Sequence, residues 1–338
     1  MRRSHLALGL GAGVLLALTA CTAIPVPRET SEVPVSTPTR TVETLQVAPG
    51  GTPPVAFDQD CGAVLTEAQI ADATGMALQF ESTDSSGTMA NVGGLVCVWR
   101  GDSATLVVEV IPQPGLGSAV FPADSQAYYF EDCDPQWVCS FRWEGDALWV
   151  AGTFQFAPDM TRENVDAWGS ALGAQIGANQ SAQPDAPWVR DRTGWWPVLD
   201  CQNAAAAIGR ELGTPLDGEI VSLGDPPSPG HVMAGAASNR TDCAVSEHGA
   251  ADTILSLSTA AGTGATTPDG FAPIDLDVDG IDAYAGGPGG FGGEQYYLSD
   301  GVNSASIEVH PTAALSAQAI VAAVARAAAS GFAVVAPG

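Results

Sequence analysis

Asp60-Cys61-Gly62-Ala63-Val64-Leu65-Thr66-Glu67-Ala68-Gln69 opens one unit of this chain, and Asp200-Cys201-Gln202-Asn203-Ala204-Ala205-Ala206-Ala207 opens a second. Each stretch runs on through a helical segment, to Gly75 in the first case and Gly213 in the second. Each then reaches another cysteine, in Cys97-Val98-Trp99 and in Asp242-Cys243-Ala244-Val245, followed by an apolar strand, Leu106 to Ile111 or Ile254 to Thr259. The same order met twice, each time starting from Asp-Cys, reads as a tandem repeat.

The helices have local causes. Thr66 with Gln69 is a capping-box pattern, and Gly75 suits the left-handed residue that stops a helix. Ala204 to Ala207, Ile208 and Leu212 carry high helix propensity, and Gly213 with Pro215 ends the run. Each unit also closes on a helix: Val165, Trp168, Leu172 and Ile176 share one face at spacings of three and four, as do Leu315, Ile320 and Val324. Between them lie strands at Leu148, Val150 and Phe154 and at Ser306 to Val309, entered through the turns Glu144-Gly145-Asp146 and Asp300-Gly301. The expected fold class is α+β, two tandem repeats, each an antiparallel sheet with an opening and a closing helix on one face. The units occupy 58–177 and 198–332, a tryptophan-containing linker covers 178–197, and 333–338 is a C-terminal tail.

The chain start carries a different signal. Arg2 and Arg3 precede an apolar run, Leu6 to Leu18, and Leu18-Thr19-Ala20-Cys21 resembles a bacterial lipobox. The run is shorter than the roughly 20 residues that span a bilayer as a helix. On this reading 1–20 is a lipoprotein signal peptide. Cys21 becomes the mature N-terminus, bearing a diacylglyceryl thioether and fatty acyl chains such as palmitate, and the protein sits on the extracytoplasmic face of the cell membrane. Residues 21–57 are rich in Pro, Thr and Ser without apolar periodicity and are expected to form a disordered tether averaging about 33 Å as a coil.

Composition excludes several chemistries. The chain holds 12 basic residues against 38 acidic ones, with a net charge of -26. Such a chain repels nucleic acid and anionic head groups. None of the basic residues is lysine. P-loop phosphate binding, Schiff-base chemistry and Ser/Lys dyads are therefore closed. With Cys21 set aside for lipid, six cysteines remain, and outside the cytoplasm these suggest three disulfides. Cys61 with Cys97 and Cys201 with Cys243 would each tie an opening helix to a strand, while Cys133 with Cys139 would pin a turn around Asp134-Pro135-Gln136.

Other candidates are weaker. Asp275-Leu276-Asp277-Val278-Asp279-Gly280 begins like an EF-hand calcium loop, yet the twelfth position holds Gly286 where a glutamate is needed. The alternation of Ile274, Leu276 and Val278 suits a strand with its acids in water equally well. His231, His248 and His310 sit in no HExxH or GxSxG context. Gly286 to Gly293 lacks the helix or lysine of a phosphate cradle and reads as a hairpin loop. Trp188, Trp195 and Trp196, with Arg190 and Arg192 among them, could contact a partner or sugar rings, or could cement the units together.

The lipobox, the tether, Asp-Cys before a helix, and a cysteine motif before a strand together resemble actinobacterial surface lipoproteins of uncharacterised function. Their domains are similar in layout to the extracellular sensor domains of actinobacterial serine/threonine kinases. The second unit departs from the pattern, with Val245 where the first has Trp99. The resemblance implies no catalytic residue, metal or cofactor. The expectation is a non-enzymatic binding or sensor-like module for an envelope component or small ligand. A scaffold acting through protein contacts is the alternative, and a carboxylate-dependent hydrolase a more distant one.

Overall fold

Leu95–Arg100 (β3), Thr105–Pro112 (β4) and Leu148–Gln155 (β6) are the buried middle of a five-stranded antiparallel sheet. Gln79–Asp84 (β2) and Val138–Glu144 (β5) complete it in the order β2-β3-β4-β6-β5. The computed structural model describes residues 43–221, 228–264, 267–289, 292–310 and 315–332. The lipobox with Cys21, the first part of the tether and the tail 333–338 lie outside the described residues.

Two short helices, Cys61–Val64 (α1) and Glu67–Thr74 (α2), open this half, and Arg162–Ala182 (α6) closes it. Asp60 accepts the Gly62 N–H at the first helix start. Thr66 and Gln69 form the full capping box of α2, which ends at Gly75 in the left-handed conformation. Along α6, Val165, Leu172 and Ile176 are buried against Val108, Val150 and Phe154, the inward-facing residues of β4 and β6. On the other sheet face the alternation gives Ile111, Trp149 and Ala151.

A second sheet of seven strands runs β11-β12-β13-β14-β10-β9-β8. Its members are Leu216–Ile220 (β8), Thr241–Glu247 (β9), Thr253–Ala261 (β10), Ala272–Ile274 (β11), Asp282–Pro288 (β12), Glu294–Ser299 (β13) and Asn303–Val309 (β14). Cys201–Leu212 (α7), stopped by left-handed Gly213, and Ala317–Ala329 (α9) cover one face, burying Leu257, Ala305 and Ile307. The fold is thus mixed α+β with two main antiparallel sheets. Leu315, expected on the closing helix, lies just before it and is half-buried.

Each half also inserts a small helix between its first two strands, Gly87–Asn91 (α3) between β2 and β3 and Pro229–Ala237 (α8) between β8 and β9. These two helices decide the assembly. Met233, Ala234 and Ala237 of α8 are buried with Met89, Val92, Ile111 and Trp149, on the face of the five-stranded sheet that α6 does not cover. Gln113–Leu116 (α4) shares this layer, and Ala123–Gln126 (α5) leads into a turn of π-helix at Ala127–Glu131 that lays Tyr129 against it. A third core therefore draws side chains from both halves.

One expected boundary is corrected. The tether does not run to residue 57: Leu45–Val47 (β1) pairs in parallel with Trp188–Arg190 (β7), and Val47, Ala56 and Phe57 are buried. The Pro/Thr-rich composition hides Leu45 and Val47, whose strand partners Trp188 and Arg190 lie more than a hundred residues away, and Val55 and Phe57, which pack on the core of the first half. Within the tryptophan-containing linker 178–197, α6 continues to Ala182, β7 pairs with β1, and Trp188 and Trp196 are buried. The segment expected as a calcium loop or strand is a loop after β11, with Leu276 and Val278 packed on the core.

Disulfides join Cys61 to Cys97, Cys133 to Cys139 and Cys201 to Cys243. They fit an oxidising, extracytoplasmic compartment. Among the described residues no helix is long and apolar enough to cross a membrane. On the chain-entropy model, closing a loop of 42 residues restricts the unfolded chain more than closing one of 6. Replacing Cys201 and Cys243 by serine should lower unfolding free energy by about 4 kcal/mol, against about 2 kcal/mol for Cys133 and Cys139. Urea titration of the two variants measures the difference.

Candidate functional site

The second sheet's uncovered face sets up the site. Ser258 and Ala260 on β10, and Ser304 and Ser306 on β14, point away from the α7 and α9 core because they alternate with Leu257, Ala305 and Ile307. Opposite them stand Thr88, Ala90 and Asn91 of α3 and the Gly50-Gly51-Thr52 segment after β1, all from the N-terminal side of the chain. Between lies a pocket of about 350 Å³ lined also by Arg240, Gly262, Thr263 and Tyr297. Hydroxyl groups and small side chains dominate its wall, and among the described residues no carboxylate or histidine lines it.

Asn91 is the pocket's most constrained polar residue. It is 4% exposed, its Nδ2 donates to Ser238 Oγ and to the Ala261 carbonyl at 2.7 Å each, and its Oδ1 has no hydrogen-bond partner. A buried amide oxygen left unsatisfied costs on the order of 1–3 kcal/mol, so natural sequences keep one only where something offsets it. Tyr297 donates from its hydroxyl to the Thr263 carbonyl, and burial pushes its ionisation above the usual phenol range.

Behind the wall sits a cation without an acid. Arg190, 7% exposed, donates Nη2 to the carbonyls of Gly51 and Gly262 at 2.9 and 2.6 Å, while Nε and Nη1 have no partner. Arg192 donates to the Gly115 and Ala237 carbonyls. Both guanidiniums lie over the Trp195 ring, 5.1 and 4.6 Å from its centroid. Burial, then repulsion from Arg192, brings the Arg190 pKa down to about 10. Gly262 is required here, because its φ is +85° and a Cβ would meet Trp195 at 2.6 Å.

Of the two roles the tryptophans could play, partner contact or cement between the halves, their positions suit the second. Trp188 and Trp196 are buried, the latter edge-on to Phe332, and cannot meet a partner. Trp195 is half-buried between the arginines and cements the junction.

One arrangement was invisible in the sequence. Glu109 on β4 is 1% exposed, and its hydrogen-bond partners among the described residues come from the start of α8: the Ser228 hydroxyl, the Gly230 N–H at 2.7 Å and His231 Nδ1 at 3.1 Å. A serine, a histidine and a carboxylate together invite comparison with a catalytic triad. A triad needs the serine on one ring nitrogen and the acid on the other. Here Ser228 Oγ, at 2.8 Å, and Glu109 both approach Nδ1, so no proton path crosses the ring. The geometry is that of a helix cap supplied across the seam, with a carboxylate at the positive end of α8. Gly230 permits the approach, since a Cβ there would lie 2.5 Å from the Glu109 carboxyl carbon.

The other histidines stand apart, His248 in an exposed pair with Asp217 and His310 3.9 Å from Glu308. Among the described residues no group of three or more His, Cys, Asp or Glu side chains could hold a metal ion, the Asp275 segment included.

Compared with family models, with curated proteins and with solved structures, the chain matches none.

Glu109→Ala should destabilise the protein by about 2–3 kcal/mol, because it strips the acceptor from the buried Gly230 N–H and the Ser228 hydroxyl. Chemical denaturation measures this, and Glu109→Gln should recover part of the loss.

Proposed function

We propose that this protein is a membrane-anchored, extracytoplasmic binding module that holds a small polar ligand in the seam pocket between its two halves. The observation that carries this reading is the pocket's wall: hydroxyls, glycines and alanines closing on a buried asparagine with one oxygen unpaired. Pockets with a few converging polar groups at the boundary of two structural units are the usual place for a small ligand.

The lipid anchor at Cys21 belongs to the same proposal, supported by the charged head, the apolar run and the small residues before the cysteine. So does the origin of the two halves as related, sensor-like domains. In support, β2-β3-β4-β6-β5 and β8-β9-β10-β14-β13 follow one order, each with a disulfide from the opening helix to the second strand. A tether of some twenty residues from Cys21 to the first described residues would hold the module close to the membrane and raise its effective concentration near envelope targets.

Two experiments test this. Cys21→Ser should abolish acyl labelling and release the protein from the membrane fraction; an unchanged fraction still carrying residues 1–20 would contradict the anchor. A library of small envelope-derived sugars, amino acids and peptides, screened by thermal shift, should yield a stabilising ligand whose effect is lost in Ser258→Trp, which fills the pocket from an outward-facing strand position. Stabilisation that survives Ser258→Trp would place the ligand elsewhere.

A further inference from the structure

One line of side chains crosses the outward face of the second sheet at the seam pocket. Asp242 on β9 stands opposite Ser258 on β10, Ser258 opposite Ser306 on β14, and Ser306 opposite Tyr297 on β13. Residues directly opposite in a sheet hold their Cβ atoms about 4.5–5.5 Å apart, so the two serines stand side by side with the tyrosine next in line. Thr52 and Thr88 belong to the opposite wall.

Three observations bear on what this row can hold. First, the hydroxyls of Ser258, Ser306, Thr52 and Thr88 make no hydrogen bond among the described residues, and Thr88 is unpaired although only 9% exposed. Ser304, by contrast, is already tied to Thr263. Second, the Asn91 amide cannot turn round, because the Ala261 carbonyl needs its Nδ2 as a donor. Any group that meets the unpaired Oδ1 must therefore donate, as a hydroxyl does and an ionised carboxylate does not. Third, the pocket offers little to a charged ligand. Arg240 gives Nε and Nη2 to Asp242, Arg190 behind the wall gives Nη2 to the Gly51 and Gly262 carbonyls, and among the described residues no carboxylate lines the space. An ammonium entering here loses its hydration beside a buried guanidinium and without a counter-charge. An oxyanion is opposed by a chain of net charge -26.

We infer that the seam pocket takes an uncharged sugar, whose hydroxyls pair with the Ser258 and Ser306 row while the C–H face of its ring lies on Ala90, Ala260 and Tyr297. This rests on the seam pocket being the binding site and adds the class of ligand. Sugar hydroxyls both donate and accept, as those of the wall do, so each unpaired group on the row finds a complement whichever way its proton points. The cavity of about 350 Å³ lies at the small end of ligand pockets, which suits a single ring better than an extended chain.

The test titrates the full chain with three matched sets, glucose, galactose and mannose, each beside its uronate and its 2-amino sugar, and follows the Asn91 side-chain amide and the Tyr297 ring by NMR. In at least one set the neutral hexose should bind saturably and about tenfold more tightly than either charged counterpart. Ser258→Ala and Ser306→Ala, both at outward strand positions, should each weaken that hexose about fivefold while leaving the urea unfolding midpoint unchanged. Ser306→Asp should reverse the preference and raise the amino sugar above the neutral one. A uronate or amino sugar that binds the unmodified chain as tightly as its hexose, hexose binding indifferent to both alanine variants, or no saturable shift with any hexose would each overturn the sugar assignment. A compound of another class whose stabilisation is lost in Ser258→Trp would overturn the sugar class alone and leave the pocket a binding site, whereas the absence of any such compound would sink both readings.

Discussion

The carboxylate of Glu109 accepts from the Ser228 hydroxyl and the Gly230 N–H and lies against His231 Nδ1, all at the start of one helix, and that helix comes from the other half of the chain. Without a carboxylate on β4, the Gly230 N–H at the start of α8 would be left unpaired and buried against a sheet. Without α8, Ile111 and Trp149 would present a bare apolar face. The polar cap fixes where the helix lies and the apolar burial supplies the driving force, so register and affinity come from different groups. With α8 in place, α3 is carried over the second sheet, and the seam pocket is the space left between them.

Charge follows from the same constraint. Acidic residues crowd the surface, yet the junction is tied by Arg190 and Arg192, which reach backbone carbonyls and the Trp195 ring instead of acids. The depressed pKa of Arg190 means that its charged form is disfavoured by folding. That cost is fully present below about pH 10, the folded-state value, and eases as pH rises from there toward the unfolded value. The cation is tolerated because carbonyl dipoles and an aromatic face replace part of its hydration.

Much of each half was legible in the sequence because its causes are local. Thr66 with Gln69, Gly75, Gly213 and the spacing of Val165, Leu172 and Ile176 state their helices outright, and the Asp-Cys openings supply the order. What was hidden depends on pairs far apart in the chain. Leu45 and Val47 look like tether until β7 is placed beside them. Glu109 reads as an ordinary strand acid, and His231 as a chance histidine, until α8 crosses the seam. The Ser258 and Ser306 alternation is readable as an outward strand face, but nothing in the sequence says that α3 stands over it.

The central claim is that the halves form one body through this exchange of helices. Hydrogen exchange under native conditions, read by mass spectrometry on the full chain, tests it most directly. If the claim holds, the amides of α3 and α8 open only with β3, β4, β9 and β10, in a single cooperative event. If instead α8 exchanges through a separate low-energy opening while both sheets stay protected, the halves are independent domains that merely touch, and the account built on Glu109 is wrong.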